Sequence, residues 1–244
     1  MEKIPRNKIY KDVSHIYDHI MRKVRYDYWA DYIYAISSEY VKDKPKVLEL
    51  ASGNCNLARF LSAYYPNLIA SDISYEMLYN NSKTYLQRVC CDMTLIPFKT
   101  KFDLIVSTFD SVNYLISKKK LVKLFIEVCG AISDKGMFTF DVSLEKNSFR
   151  HIKDPIRKGS YKGFRYKQET DYNSVKCIHR NVFYITYPNG TVFEEVHIQK
   201  IYSFETYFDL LDSAGLVVKE CYDAFTFKNG SSKSPRVQFI AVKK

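Results

Sequence analysis

Apolar and polar positions along the chain change period twice. Between residues 12 and 41 they recur at helical spacing, through Ile16, Ile20 and Val24 and then Trp29, Ile33 and Ser37, which predicts two helices. From Pro45 onward short apolar runs alternate with amphipathic stretches. Strands are predicted over 46–50, 68–71, 88–91, 102–107 and 137–142. The helix over 56–65 carries Leu57, Phe60, Leu61 and Tyr64 on one face and is broken by Pro66 and Asn67. Ser74 opens another around Met77 and Leu78, and Ser117 caps a long one running through 132. Asp134-Lys135-Gly136 reads as the turn into the fifth strand. The fourth strand is almost wholly apolar, as expected of a strand covered on both faces. Strand-helix alternation of this kind implies a parallel sheet with crossover helices.

The period changes again near Tyr161. Residues 161–202 read as antiparallel strands, with a Pro188-Asn189-Gly190 hairpin turn. A helix over 204–214 stops at Gly215, and 216–222 and 237–242 supply two last strands.

In an open parallel sheet a ligand sits beyond the carboxyl ends of the strands, near the point where strand order reverses. The residues found there are Glu49, Ala51, Gly53 and Asn54 after the first strand and Asp72 after the second. Asp92 follows the third strand, and Thr108 and Asp110 the fourth. Each acid taken singly also suits a helix cap or a solvated loop. Their shared position at successive strand ends is the stronger signal. Asp72 can accept both hydroxyls of a ribose, Asp92 an exocyclic adenine amine, and Glu49 can answer an ammonium group. The first loop reads A-x-G-x-C, with an acid before it and no P-loop lysine, so a pyrophosphate would meet Glu49 and a crowded turn. A cationic nucleoside with a free amine and no phosphate suits it better, and S-adenosyl-L-methionine is such a ligand.

These residues resemble the class I S-adenosylmethionine-dependent methyltransferases. The first motif of that family, an acid followed by G-x-G-x-G, is similar to Glu49-Leu50-Ala51-Ser52-Gly53-Asn54-Cys55. The second resembles Ser71-Asp72-Ile73-Ser74 with Met77 following, the third Cys91-Asp92-Met93, and the fourth Phe102-Asp103-Leu104-Ile105-Val106. Within the family the chain looks most like the small-molecule branch that includes glycine and amino-sugar N-methyltransferases. Tyr17-Asp18, Phe109 to Leu115 and Glu195 to Lys200 resemble segments of that branch.

The resemblance implies an α/β, Rossmann-like, mostly parallel seven-stranded sheet with helices on both faces. It further implies an N-terminal helical cap over 1–45, a core over 46–150 and 203–244, and an antiparallel lid over 151–202. The expected activity is methyl transfer to a nitrogen or oxygen of a small molecule. Tyr17, Trp29, Ile73, Met77, Met93 and Tyr114 join Glu49, Ala51, Gly53, Asn54, Asp72, Asp92 and Thr108 as expected cofactor contacts, and Tyr17, Asp110 and His197 are the expected catalytic residues. Glycine is usual where this chain has Ala51 and Cys55. Ala51 is expected to keep a negative φ and Cys55 to turn its thiol toward the helix-sheet interface.

Composition changes the picture little. The net charge of +10 raises the question of an acidic partner. The lysines are widely spread, however, and the densest basic stretch, 150–167, holds Gly159 and Gly163 and reads as a mobile, solvated connection. An RNA methyltransferase using that stretch, or a non-catalytic protein of the same fold, are the alternative readings; nucleic acid is not the expected partner. Six cysteines show neither a CxxC pair nor zinc spacing, so no metal and a reducing, cytoplasmic setting are expected. No run is long and apolar enough to span a bilayer.

Overall fold

The computed structural model describes residues 4, 8–41, 43–80 and 85–244. The expected N-terminal cap therefore falls outside the described residues at 1–3, 5–7 and 42. At the centre lies β1 (Val47–Leu50), all four residues buried, paired in parallel with β2 (Leu68–Asp72) on one side and β4 (Phe102–Ser107) on the other. Beyond β2 comes β3 (Gln87–Cys90). Beyond β4 comes β5 (Ile132–Ser143), and then β11 (Arg236–Lys243) and β10 (Leu216–Asp223) in antiparallel pairing. The seven-stranded order is β10-β11-β5-β4-β1-β2-β3, so direction along the sheet reverses between β1 and β4. Loops leaving those two strands diverge and open a crevice.

Alternate side chains of each strand serve opposite layers. Val47, Leu104, Val106, Met137 and Ile240 pack against α2 (Tyr26–Ser37) and α3 (Asn56–Tyr64). Leu48, Leu50, Ile105, Phe138, Phe140 and Phe239 meet α5 (Lys118–Ala131) and α7 (Phe204–Ser213). Each such side chain, fully withdrawn from water, contributes about 1.5–3 kcal/mol. Ser117 caps α5 as expected, its Oγ accepting the Lys120 N–H at 3.3 Å.

The turn expected at 134–136 is absent: α5 runs directly into β5, whose register with β4 shifts between Phe102 and Leu104. Gly136 permits this, because a Cβ there would stand 2.8 Å from the Phe102 carbonyl oxygen. The expectation for 150–167 also fails. That stretch completes α6 (Glu145–His151) and forms β6 (Ile156–Tyr161) and the start of β7 (Phe164–Asn173). Lys162 (φ +49°) and Gly163 (φ +82°) make the two-residue turn between them, where both positions need positive φ. As an edge strand rich in Arg and Lys, β6 lacks the apolar alternation that marks a strand in sequence.

Strands β6 and β7 join β8 (Ile178–Thr186) and β9 (Val192–Lys200) in a second, antiparallel sheet. A 3-10 turn (Val13–His15) and the short α1 (Tyr17–Ile20) dock on it, with Val13 and Ile16 against Phe183 and Ile185. A last short helix, α4 (Tyr75–Asn80), follows β2. Among the described residues no helix is long and apolar enough to cross a membrane.

Candidate active site

The loop after β1 makes three left-handed steps, Ala51 at φ +55°, Gly53 at +56° and Cys55 at +60°. The negative φ expected of Ala51 is thus not what the loop adopts. The reason lies in Asp72, which pulls the loop down onto the end of β2: one carboxylate oxygen accepts Gly53 N–H and the other Ser74 N–H, both at 2.8 Å. Ser52 N–H also bonds the Ser71 carbonyl at 2.8 Å. The Cys55 side chain is fully buried in the layer between sheet and α2–α3, and burial pushes its thiol up to about 12.

Glu49, next to last in β1, lines the crevice. Its side chain is 1% exposed and its Oε2 has no hydrogen-bond partner. Burial, which outweighs a hydrogen bond from Ser52, pushes its carboxyl up to about 7, with the charge of Asp72 adding to the shift. Burial likewise raises Asp72, against the N–H bonds it receives.

Two cavities open from the crevice. The smaller, about 100 Å³, is walled by Tyr17, Glu49, Ala51, Gly53, Asn54, Asp72, Ile73, Met77, Met93 and Tyr114 among the residues singled out in the sequence. Ile9, Tyr10, Tyr26, Ser52, Asn56, Leu57, Phe109 and Ser111 line it as well and were not anticipated. Asn56, Leu57, Phe109 and Ser111 continue segments already singled out, so wider windows after each strand would have found them. Ile9, Tyr10 and Tyr26 arrive only by the fold of the N-terminal segment, which Asp18 fastens to the loop by accepting the side-chain amides of Asn54 and Asn56.

Trp29 lies elsewhere, in the wall of the second cavity, against Phe109 and Phe225 at ring separations of 4.4 Å each. Asp92 and Thr108 line neither cavity. Asp92 Oδ1 accepts Thr94 N–H at 2.8 Å, and the Thr108 backbone carbonyl accepts Ser111 Oγ at 2.7 Å, so each residue takes part in a turn.

The second cavity holds about 420 Å³ between the core and the antiparallel sheet, with Asp110 and His197 in its wall. Both oxygens of Asp110 are engaged: Arg236 donates to one at 2.9 Å, and Ser143 Oγ and Gln199 Nε2 to the other at 3.1 and 2.9 Å. Arg236 also pairs with Asp141, whose burial pushes its carboxyl up to about 6 against the pull of the guanidinium. His197 is 2% exposed, with Nδ1 3.2 Å from Tyr114 Oη and Nε2 3.2 Å from Glu195 Oε2. Tyr10 Oη donates to Tyr114 Oη at 2.7 Å. Glu195, fully buried, also accepts the backbone N–H groups of Tyr10 (2.9 Å), Asp12 and Val13 (3.0 Å). Tyr10, Tyr17, Phe109 and Tyr114 face both cavities at once.

The unpartnered Glu49 Oε2 and the bare Cα of Gly53, where a Cβ would touch only the Met77 methyl at 3.2 Å, fit a ligand with a cationic amine that approaches the backbone closely. Comparison with known proteins gives the same answer. Residues 47–136 match the sequence family described as a methyltransferase domain. YqeM of Bacillus subtilis, curated as a candidate methyltransferase, is 27% identical over 96% of this chain and 97% of its own length. An S-adenosylmethionine-dependent methyltransferase from Clostridium acetobutylicum is 24% identical and superposes with a TM-score of 0.78 over 96% of this chain and 98% of its own. The sugar N-methyltransferase KedS8 from a Streptoalloteichus species shares the fold at 15% identity, with a TM-score of 0.75 over 100% and 99% of the two chains. Matched domain, curated relative and fold agree: residues 47–136 match a methyltransferase domain, and the chain as a whole has the fold of the S-adenosylmethionine-dependent methyltransferases.

Proposed function

We propose that the enzyme methylates a nitrogen or oxygen of a small molecule held in the 420 Å³ cavity, with the cofactor in the smaller groove. The observation that carries this reading is the shared wall: four aromatic side chains, Tyr10, Tyr17, Phe109 and Tyr114, border both spaces, so the two ligands meet there. The cavity volume suits a ligand of small-molecule size. The kinship of fold with a sugar N-methyltransferase is in keeping with such an acceptor.

When bound, S-adenosylmethionine supplies a methyl group already activated for displacement. The protein's task is then to align the nucleophile, exclude water and receive a proton. Glu49 would hold the amine, Gly53 and Asp72 the ribose side, and Tyr17 would stand near the cationic centre. Asp110, with both oxygens committed, orients Arg236 and Gln199 toward the acceptor rather than taking its proton. The base would be His197 Nδ1, reached through Tyr114 Oη, which takes a proton from the acceptor while passing its own to the imidazole; Glu195 stabilises the imidazolium that results. Six free thiols suit a reducing compartment, and we place the enzyme in the cytoplasm.

The test is calorimetric titration with S-adenosylhomocysteine, with NADH as a control, followed by transfer of labelled methyl from S-adenosylmethionine to a panel of small amines and hydroxyl compounds. Selective binding of the homocysteine compound and label appearing in a small acceptor are the expected results. Label appearing only in added RNA would overturn the small-molecule reading.

A further inference from the structure

The 420 Å³ cavity has two chemically different ends. Near the core, its lining carboxylate, Asp110, is neutralised by Arg236. Toward the antiparallel sheet, His151 from α6, Arg157 from β6, and His179 and Asn181 from β8 line it. What remains unspent among these four is donor-capable. Arg157 has no carboxylate partner among the described residues. Asn181 Oδ1 already accepts from Gln168 Nε2 at 2.8 Å and Thr170 Oγ1 at 2.7 Å, so the free end of its amide is the N–H₂.

His179 supplies the second, independent observation. It is 5% exposed, yet its Nδ1 has no partner. A buried polar atom left unpaired is destabilising, a cost that a bound group would relieve. Its ring meets that of His151 edge-on at 5.8 Å. The carboxylates whose charge reaches the two rings are Asp110 and Asp171, and each is already paired, with Arg236 and with Arg180 at 2.7 Å. Arg157 therefore brings an uncompensated positive charge to this end of the cavity.

We propose that the methyl acceptor carries an oxyanion, a carboxylate or a phosphate, and that His151, Arg157, His179 and Asn181 hold it at the lid end of the cavity. This rests on the reading that the cavity is the acceptor site. Anchored at that end, the acceptor extends toward the aromatic wall, where its nucleophile meets the methyl group. The basic stretch 150–167 thereby contributes to substrate recognition through Arg157, whose guanidinium can grip two oxygens at once.

The experiment uses the full chain saturated with S-adenosylhomocysteine, whose binding is first measured by calorimetry. Inorganic phosphate and malonate are then titrated separately while the imidazole resonances of the five histidines are followed by NMR. His151 and His179 signals are expected to shift saturably, with Kd on the order of 1 mM, for one of the two probes; which one responds separates phosphate from carboxylate. Arg157→Ala and His179→Gln should each weaken that binding about tenfold or more, a difference of about 1.4 kcal/mol. Lys158→Ala, on the same strand but outside the cavity wall, should leave it unchanged. Absence of a saturable shift with either probe, or equal affinity in all three variants, would overturn the proposal while leaving the cofactor reading intact. Failure to bind S-adenosylhomocysteine would overturn both.

Discussion

Ala51 shows how a single residue type can be tolerated where it is sterically disfavoured. At φ +55° its Cβ crowds the following carbonyl, at a cost of about 1–2 kcal/mol relative to glycine. Cys55 has nearly the same φ, but its side chain is completely buried among the side chains of α2 and α3. The two departures from glycine should therefore respond differently to reversal. Ala51→Gly is expected to stabilise the protein by up to about 1 kcal/mol, once the added freedom of the unfolded chain is counted. Cys55→Gly relieves the same strain but empties a packed site, so it is expected to be neutral or destabilising by about 1–2 kcal/mol. Urea unfolding of both variants measures this. A destabilised Ala51→Gly would mean that the methyl makes a contact outweighing the strain. Neither backbone sign was legible in the sequence, because the constraint comes from Asp72, 21 positions after Ala51, drawing Gly53 N–H toward β2.

At the scale of elements, strands and helices with strong periods were legible and those specified by tertiary contacts were not. The strand over 102–107 and the helix from Ser117 were readable because burial on both faces and a cap leave marks in the chain. The edge strand β6 left none, since solvent faces it. The N-terminal segment is the clearest case. Its place over both cavities depends on Glu195, which gathers three backbone N–H groups and the His197 ring around one carboxylate. Bonds to a charged acceptor are worth about 1.5–3 kcal/mol each. Glu195→Gln removes the charge and turns an N–H₂ toward groups that are themselves donors. The expected result is local release of the segment rather than loss of the fold. Amide exchange at Tyr10, Asp12 and Val13 should accelerate about tenfold or more, with exchange in β1 and β4 unchanged. If exchange in the segment does not change, the apolar contacts of Val13 and Ile16 hold it alone, and Glu195 is only a neighbour of His197.

For the whole molecule, the sequence located the crevice through acids at strand ends and an A-x-G-x-C loop. It did not reveal that three of its acids sit in surroundings where ionisation is opposed. Glu49 is pushed up to about 7, Asp141 to about 6, and Asp72 is raised too, each chiefly by burial. A carboxyl whose folded-state pKa exceeds its unfolded value binds a proton more tightly in the native state. Its contribution to stability is fully present below the unfolded pKa and is lost as pH rises through the folded one. The unliganded enzyme should therefore lose stability between about pH 4.5 and 7, by about 3 kcal/mol from Glu49 alone. On the proposed reading the cofactor would reverse the preference at this one residue, because its ammonium would need Glu49 ionised. Affinity for S-adenosylhomocysteine should thus rise as pH is raised toward 7, by up to tenfold per unit, and level off above it. Calorimetry below pH 7 in buffers of different ionisation heat should detect a proton released on binding. In Glu49→Gln both the pH dependence and the proton release should vanish together with much of the affinity. Affinity that does not vary with pH in the wild-type enzyme would assign the ammonium to another partner and leave Glu49 as a buried acid that binding does not use.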